Sequence, residues 1–133
     1  MIFGSDTHAG RITLGDNSVF TGAIPNLTLQ NGGAGSQGID WSGSLTVDGT
    51  LDLASGGTVA QGLDQGAITA TNLLVHATQP QSHFLLNDTG NTVTRFSSQA
   101  DTPKDTSAPQ YGDVTFHNSA ALTVGPFTAQ EYR

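Results

Sequence analysis

The chain of 133 residues contains no cysteine, four basic residues and a single glutamate, Glu131. Without cysteine it forms no disulfide and offers no thiolate to a metal. Four Lys and Arg stand against eleven Asp and Glu, and the net charge is −7. No basic stripe is therefore present to neutralise phosphates, which argues against nucleic acid and anionic lipid as partners.

Long apolar runs and helical periodicity are also lacking. No run of about 18 apolar residues occurs, so we expect no membrane-spanning helix. The opening residues 1–5 have neither the basic flank nor the long apolar run of a signal peptide, so any export signal is expected outside this chain. No stretch shows an apolar period of about 3.6 residues, so we expect almost no helix. Charged residues make up only 11% of the chain, which argues against disorder because charge repulsion is weak.

The chain does contain short apolar-x-apolar couplets, which are separated by small polar turns. Three longer units fall between Gly66 and Gly125, at 67–75, 84–96 and 114–124. The two apolar side chains of a couplet point the same way from a strand, and the Asn, Asp, Gly, Ser and Thr between couplets favour tight turns. Leu73, Val93 and Val114 recur at about 20 residues, a spacing typical of stacked solenoid coils.

The sequence therefore predicts an all-β fold, a parallel β-helix of about six coils that forms one domain over residues 1–133. Asp48-Gly49 lies between two alternating pairs, a pattern typical of a hairpin, but the repeated design favours a coil corner. The segment 97–111 contains two prolines and no periodicity, and we interpret it as a loop inserted at a corner.

Three stretches, 68–77, 84–93 and 113–125, resemble the repeats of filamentous-haemagglutinin-type exoproteins, the two-partner-secreted adhesins of Gram-negative bacteria. The shared turns are Asn-x-x-Gly-Asn, here Asn87 to Asn91, and Asn-Ser-x-Ala-Leu-Thr-Val-Gly, here Asn118 to Gly125. The resemblance covers residues 66–125 and is looser over 12–63. It implies a right-handed parallel β-helix, location at the cell surface and a stalk or adhesive role. The secretion domain of that family is not visible and the chain is much shorter, so we expect a fragment or a small relative.

A β-helix has two open ends with unpaired strand groups, which invite pairing. We therefore expect end-to-end association of copies or continuation into a longer chain. Carbohydrate or protein of a host or cell surface is a further candidate partner. The predicted role is a rigid rod that presents loops; the alternative is a module that binds or cleaves polysaccharide.

Polysaccharide cleavage requires paired carboxylates, or a basic residue near bound metal, in one groove. Asp48 and Asp52 flank Thr50, whereas Asp101, Asp105 and Asp113 surround the inserted segment. Basic neighbours are nearly absent, so we predict no enzyme and no catalytic residues.

Three further patterns suggest ligands, and we predict neither a metal nor a cofactor from them. Residues 32–39 nearly match a calcium-binding nonapeptide, but Gln37 replaces the metal-ligating aspartate, so a glycine-rich turn is favoured. His76 and His117 each follow a couplet and are candidates to stack on one face, one or two coils apart. Zinc needs three or four ligands, so these two histidines and His8 and His83 are predicted to be surface or turn residues. Couplet threonines suggest a ladder for ice or carbohydrate: Thr46, Thr69, Thr94, Thr115 and Thr123.

Overall fold

A computed structural model describes residues 1–5, 7–20, 25–62, 66–79, 82–100 and 113–125. These residues form strands and turns without any helix, and hence no helix able to cross a membrane. The strands are β1 (Ile2–Ser5), β2 (Ile12–Leu14), β3 (Ser18–Phe20), β4 (Leu27–Trp41), β5 (Leu45–Gln61), β6 (Ile68–Ala77), β7 (His83–Leu86), β8 (Thr92–Ala100), β9 (Asp113–Phe116) and β10 (Thr123–Val124).

After the first turn, each strand lies parallel on the strand one turn earlier, and every strand pair in the described part of the chain is parallel. The turns stack into three faces. The first face contains β1 and residues 27–31, 51–55, 73–77 and 96–100; the second contains β2, 39–41, 58–61, β7 and β9; the third contains β3, 45–47, 68–70 and 92–94. The predicted all-β parallel solenoid is confirmed.

The predicted number of about six coils is too high. Leu27 pairs with Leu51, Leu51 with Leu73 and Leu73 with Phe96, so a turn takes 22 to 24 residues. On the second face β2, β4, β5, β7 and β9 stack in that order, which makes about four turns. At about 4.8 Å between strands, four turns rise only about 19 Å.

The residues taken from the sequence as equivalent lie on three different faces. Leu73 belongs to the first face, Val93 to the third and Val114 to the second. Each turn contains several apolar couplets that look alike in sequence. Couplets on different faces therefore also recur at a regular spacing, one that is shorter than a full turn. The periodicity therefore identified the kind of fold but not which couplets stack.

The core is built from the inward residue of each alternating pair. On β7, Phe84 and Leu86 are fully buried, whereas Leu85 between them is 42% exposed. Rows such as Leu27, Leu51 and Leu73 run through the stack, and Trp41 is buried in the same cluster. Full burial of such a side chain stabilises the fold by about 1.5 to 3 kcal/mol.

Asp48 and Gly49 form a corner within β5, as predicted, and not a hairpin. The strand continues past them, and β6 pairs with it in parallel both before and after the corner, while β3 pairs with it before the corner and β4 after it. Gly49 N donates to Pro25 O of the previous turn at 2.6 Å. At another corner, a Cβ added to Gly38 would lie 1.8 Å from Thr58 O, so only glycine fits there.

β8 extends to Ala100, so the segment predicted as a loop from residue 97 begins within a strand. Residues 101–111 of that segment lie outside the described residues.

Candidate functional site

The two carboxylates considered for catalysis do not share a groove. Asp48 is exposed at a corner, where its carbonyl oxygen accepts a hydrogen bond from Thr71 Oγ1 at 2.8 Å. Asp52 is fully buried on the first face, in register with Thr28 and Leu74, which are also buried. A general acid and base must both reach a bound substrate. Asp48 and Asp52 are therefore not placed as such a pair.

The remaining aspartates considered from the sequence are dispersed or undescribed. Asp113 is exposed at the start of β9, and its Oδ2 lies 3.4 Å from Nδ1 of His83, its neighbour one turn earlier. Asp101 and Asp105 lie outside the described residues.

The histidines do not converge. His76 is on the first face beside Ala54, whereas His117 follows β9 on the second face, where its backbone N–H donates to Leu86 O at 3.0 Å. The stacking considered for these two residues is thus wrong, because their couplets belong to different faces. Within the described ranges, no group of three His, Cys, Asp or Glu residues is arranged to hold a metal ion.

The glycine-rich segment 32–39 forms the corner between the first and second faces, as the turn interpretation predicts. Asn31 is fully buried; its Oδ1 accepts from Gly33 N at 2.8 Å and its Nδ2 donates to Gly10 O. One turn later Ser55 repeats the arrangement, with its Oγ accepting from Gly57 N at 3.1 Å. The side chains of Asn31 and Ser55 therefore hold the backbone at this corner through hydrogen bonds.

A buried amide network that the sequence did not predict is centred on Asn91, between the second and third faces. Asn91 Oδ1 accepts from Gln61 Nε2 at 2.5 Å and from Ile68 N at 2.8 Å. Its Nδ2 donates to Leu86 O at 3.2 Å and to His117 O at 2.9 Å. One side chain thereby ties together parts of three turns. Asn91 is the last residue of the Asn-x-x-Gly-Asn turn, and the turn pattern alone does not show that this residue is buried.

Asn118 closes the stack above the third face in a similar way. Its Oδ1 accepts from Val93 N at 2.9 Å, and its Nδ2 donates to Val93 O at 3.0 Å. These are the two backbone groups that a further strand would use. The Asn-Ser-x-Ala-Leu-Thr-Val-Gly turn therefore supplies a side-chain substitute for a strand.

Exposed threonines form two short rows on the outside of the third face. Thr46 pairs with Thr69 and Thr69 with Thr92, while the same register places Thr94 beside Thr71. Apart from half-buried Thr46, all of these are exposed.

The five threonines considered as a possible ladder do not form a single row. Thr115 stacks on Leu85 of the second face, and Thr123 on Arg95 near another corner. The sequence could not show this because strand alternation fixes which side a residue faces, not which stack it joins.

A cavity of about 220 Å³ opens beside the second face and is lined by Thr13, Asp40, Trp41, Ser42, Ala60, Gln61 and Gly62. Asp40 Oδ2 accepts from Arg11 Nη2 at 2.6 Å, and Oδ1 accepts from Thr13 Oγ1 at 2.7 Å. Gln61 is held by the Asn91 network. The cavity's main polar groups are already used between neighbouring turns, so they offer few contacts to a ligand.

Among the described residues, most of the exposed large apolar side chains belong to the first turn. Met1, Ile2 and Phe3 are 48%, 51% and 45% exposed, and Val19 is 61% exposed. Phe3 also packs edge to face on Phe20, with ring centroids 6.4 Å apart. In the described part of the chain, β1, β2 and β3 each pair on one side only.

No protein-family model, curated protein or solved structure matches this chain significantly, so its resemblance to exoprotein repeats remains a prediction.

Proposed function

We propose that the protein is a structural segment of a β-solenoid rod, in which a rigid stack of turns spaces and presents its outer surfaces. The observation that supports this is how its polar side chains are used. Asn31, Asn91 and Asn118 each make hydrogen bonds to another turn of the stack, whereas Ser55 closes a corner within its own turn. By contrast, the described carboxylates and histidines that were considered for catalysis or metal binding form one close pair, His83 with Asp113, and no group of three.

A pulling experiment tests this role. The chain is placed between two marker domains and stretched by force spectroscopy. We expect discrete unwinding events, each releasing about one turn of 22 to 24 residues, or roughly 80 Å of extended chain. Extension without discrete events, as for an unfolded linker, would contradict the proposed role.

The proposed location is the cell surface, with an adhesive or stalk role, and this rests on the resemblance to exoprotein repeats. It is tested by treating intact source cells with a protease that does not enter them. Release of peptides from this protein, with a cytosolic marker protein left intact, is the expected result. Protection of the chain until the cells are lysed would contradict a surface location.

A second candidate function is carbohydrate binding, because the third face presents exposed threonine hydroxyls in two neighbouring rows. Thr69→Arg with Thr94→Arg should then abolish retention on an insoluble polysaccharide. The matched control is Thr115→Arg, an exposed threonine on the second face. Equal retention of all variants, or none by the wild type, would exclude this surface as the binding site.

Polysaccharide cleavage is tested in the same samples by measuring release of reducing ends from acidic polysaccharides with and without calcium. We expect no turnover. Turnover that Asp48→Ala or Asp52→Ala abolishes would overturn the structural proposal in favour of an enzyme.

A further inference from the structure

In the part of the chain that the structure describes, the first and last strands of the second face carry residues of opposite charge in the same row. Ile12 of β2 and Val114 of β9 lie in one row, which runs through Ile39, Val59 and Phe84. Arg11 comes directly before Ile12, and Asp113 directly before Val114. The cation thus lies at one end of a row and the carboxylate at the other.

The residues that follow also match. Ile12 and Leu14 point towards the core, as do Val114 and Phe116, while Thr13 and Thr115 point outwards between them. Within the described residues β2 pairs only with β4, and β9 only with β7. Each strand therefore has one edge with backbone groups that no described strand pairs, and unpaired edges favour strand addition.

We propose that copies of this chain associate head to tail, with β2 of one copy adding in parallel to β9 of another. This proposal rests on the proposed structural role. The added strand continues the inward apolar row, places Thr13 of the second copy beside Thr115, and places Arg11 of the second copy beside Asp113. Phe3 and Val19, exposed in the free chain, then approach the preceding copy. Such a contact joins two different surfaces, so it repeats and produces a fibre.

β10 competes with this association. Met1 lies one residue before Ile2, in the row of Leu27, Leu51, Leu73 and Phe96, and Val124 of β10 already lies on Phe96. The β1 strand of an arriving copy therefore needs the place that β10 and Gly125 hold. β10 has two exposed residues, and Gly125 N donates to Phe96 O at 3.2 Å. The longer β1 must displace this short strand for the stack to grow.

Charge reversal tests the interface in the full-length chain. Sedimentation velocity at increasing protein concentration is measured for the wild type, Asp113→Arg, Arg11→Asp and the double variant. We expect mass to rise with concentration in the wild type, and each single reversal to weaken association by roughly three- to tenfold. The double variant should recover, because the opposite charges are exchanged. Asp48→Arg, at an exposed residue of a lateral corner, is the control for Asp113→Arg, because both change the net charge by the same amount.

Arg11 also forms an ion pair with Asp40 within the chain, so Arg11→Asp could weaken association by disturbing the fold. Recovery of association in the double variant distinguishes a lost interface from such a folding defect, because the second substitution does not restore the pair with Asp40. A wild type that remains monomeric at all concentrations would overturn the interface, as would a double variant no better than the single ones. Either result leaves the force measurement on single chains to decide the structural role separately.

Competition by β10 has its own test. Gly125→Pro removes the N–H that bonds Phe96 O, whereas Gly125→Ala retains it, and no atom lies within 4 Å of an added Cβ there. We expect Gly125→Pro to associate more strongly than the wild type, and Gly125→Ala to equal the wild type. Weaker association of Gly125→Pro would show that β10 belongs to the interface, which contradicts its displacement.

Discussion

At the scale of single residues, buried amides hold this fold together more specifically than its apolar rows do. Asn91 is fully buried and bonds backbone groups of Ile68, Leu86 and His117. An apolar row tolerates exchange among aliphatic residues of similar volume. An amide that both donates and accepts has no such substitute, because each partner left without a hydrogen bond destabilises the fold.

Asn91→Ala should therefore lower the free energy of unfolding by about 2 to 4 kcal/mol, since buried backbone groups lose their partner. Urea denaturation followed by circular dichroism measures this. Asn87→Ala, an exposed asparagine in the same turn, is the control and should change stability by no more than about 0.5 kcal/mol. Equal effects of the two variants would contradict a structural role for the Asn91 network.

Gly38 tests how closely the corners of neighbouring turns approach. A Cβ at this position would lie 1.8 Å from Thr58 O and 2.8 Å from Thr58 N, both backbone atoms that cannot rotate away. Gly38→Ala should lower the free energy of unfolding by about 1 to 3 kcal/mol. Gly15→Ala, where an added Cβ meets nothing within 4 Å, should be neutral in the same thermal or urea measurement. A neutral Gly38→Ala would show that the corners are further apart than described.

At the scale of elements, β7 tests which side of a strand faces the core. Leu86 is fully buried and its neighbour Leu85 is 42% exposed. Leu86→Ala should lower the free energy of unfolding by about 2 to 5 kcal/mol because it leaves a cavity in the core. Leu85→Ala removes the same atoms from the surface and should cost less than about 1 kcal/mol. Reversed magnitudes would mean that the strand is shifted by one residue.

The same alternation explains how much of the fold the sequence predicts. Apolar-x-apolar couplets, polar corners and the absence of a helical period were sufficient for a parallel solenoid, and Asp48-Gly49 was correctly placed at a corner. Turn length was not predictable, because couplets on all three faces look alike. Leu73, Val93 and Val114 satisfy the same pattern although they belong to different stacks.

The candidate site was less predictable than the fold. The alternation shows that Thr69 and Thr71 share a face, but only the register shows that Thr92 and Thr94 lie beside them. The alternation of side chains along the strand predicts that Asp52 faces solvent, yet Asp52 is fully buried. Burial of an outward-facing residue depends on what packs over the sheet, and local sequence carries no information about that.

At the scale of the whole molecule, a solenoid is a sum of turns and of contacts between neighbouring turns. One turn can therefore be removed if the registers on both sides remain compatible. Leu73 and Phe96 occupy the same row, one turn apart. Deleting residues 73–95 joins Asn72 to Phe96, so residues 96–100 can take the place of 73–77 on β5. A deletion of about half a turn, residues 73–84, instead brings residues of the second face into the first.

The one-turn deletion should fold cooperatively with a parallel-sheet circular dichroism spectrum, although less stably, because the Asn91 network and one set of contacts are lost. Its denaturant m value should fall roughly in proportion to the surface no longer buried. The half-turn deletion should unfold or aggregate, because the leucines that point towards the core would no longer lie in register with the inward side chains of the turn below. If both deletions behave alike, stability does not depend on turn register, and the stacked rows on which the rod and its proposed assembly depend would be wrong.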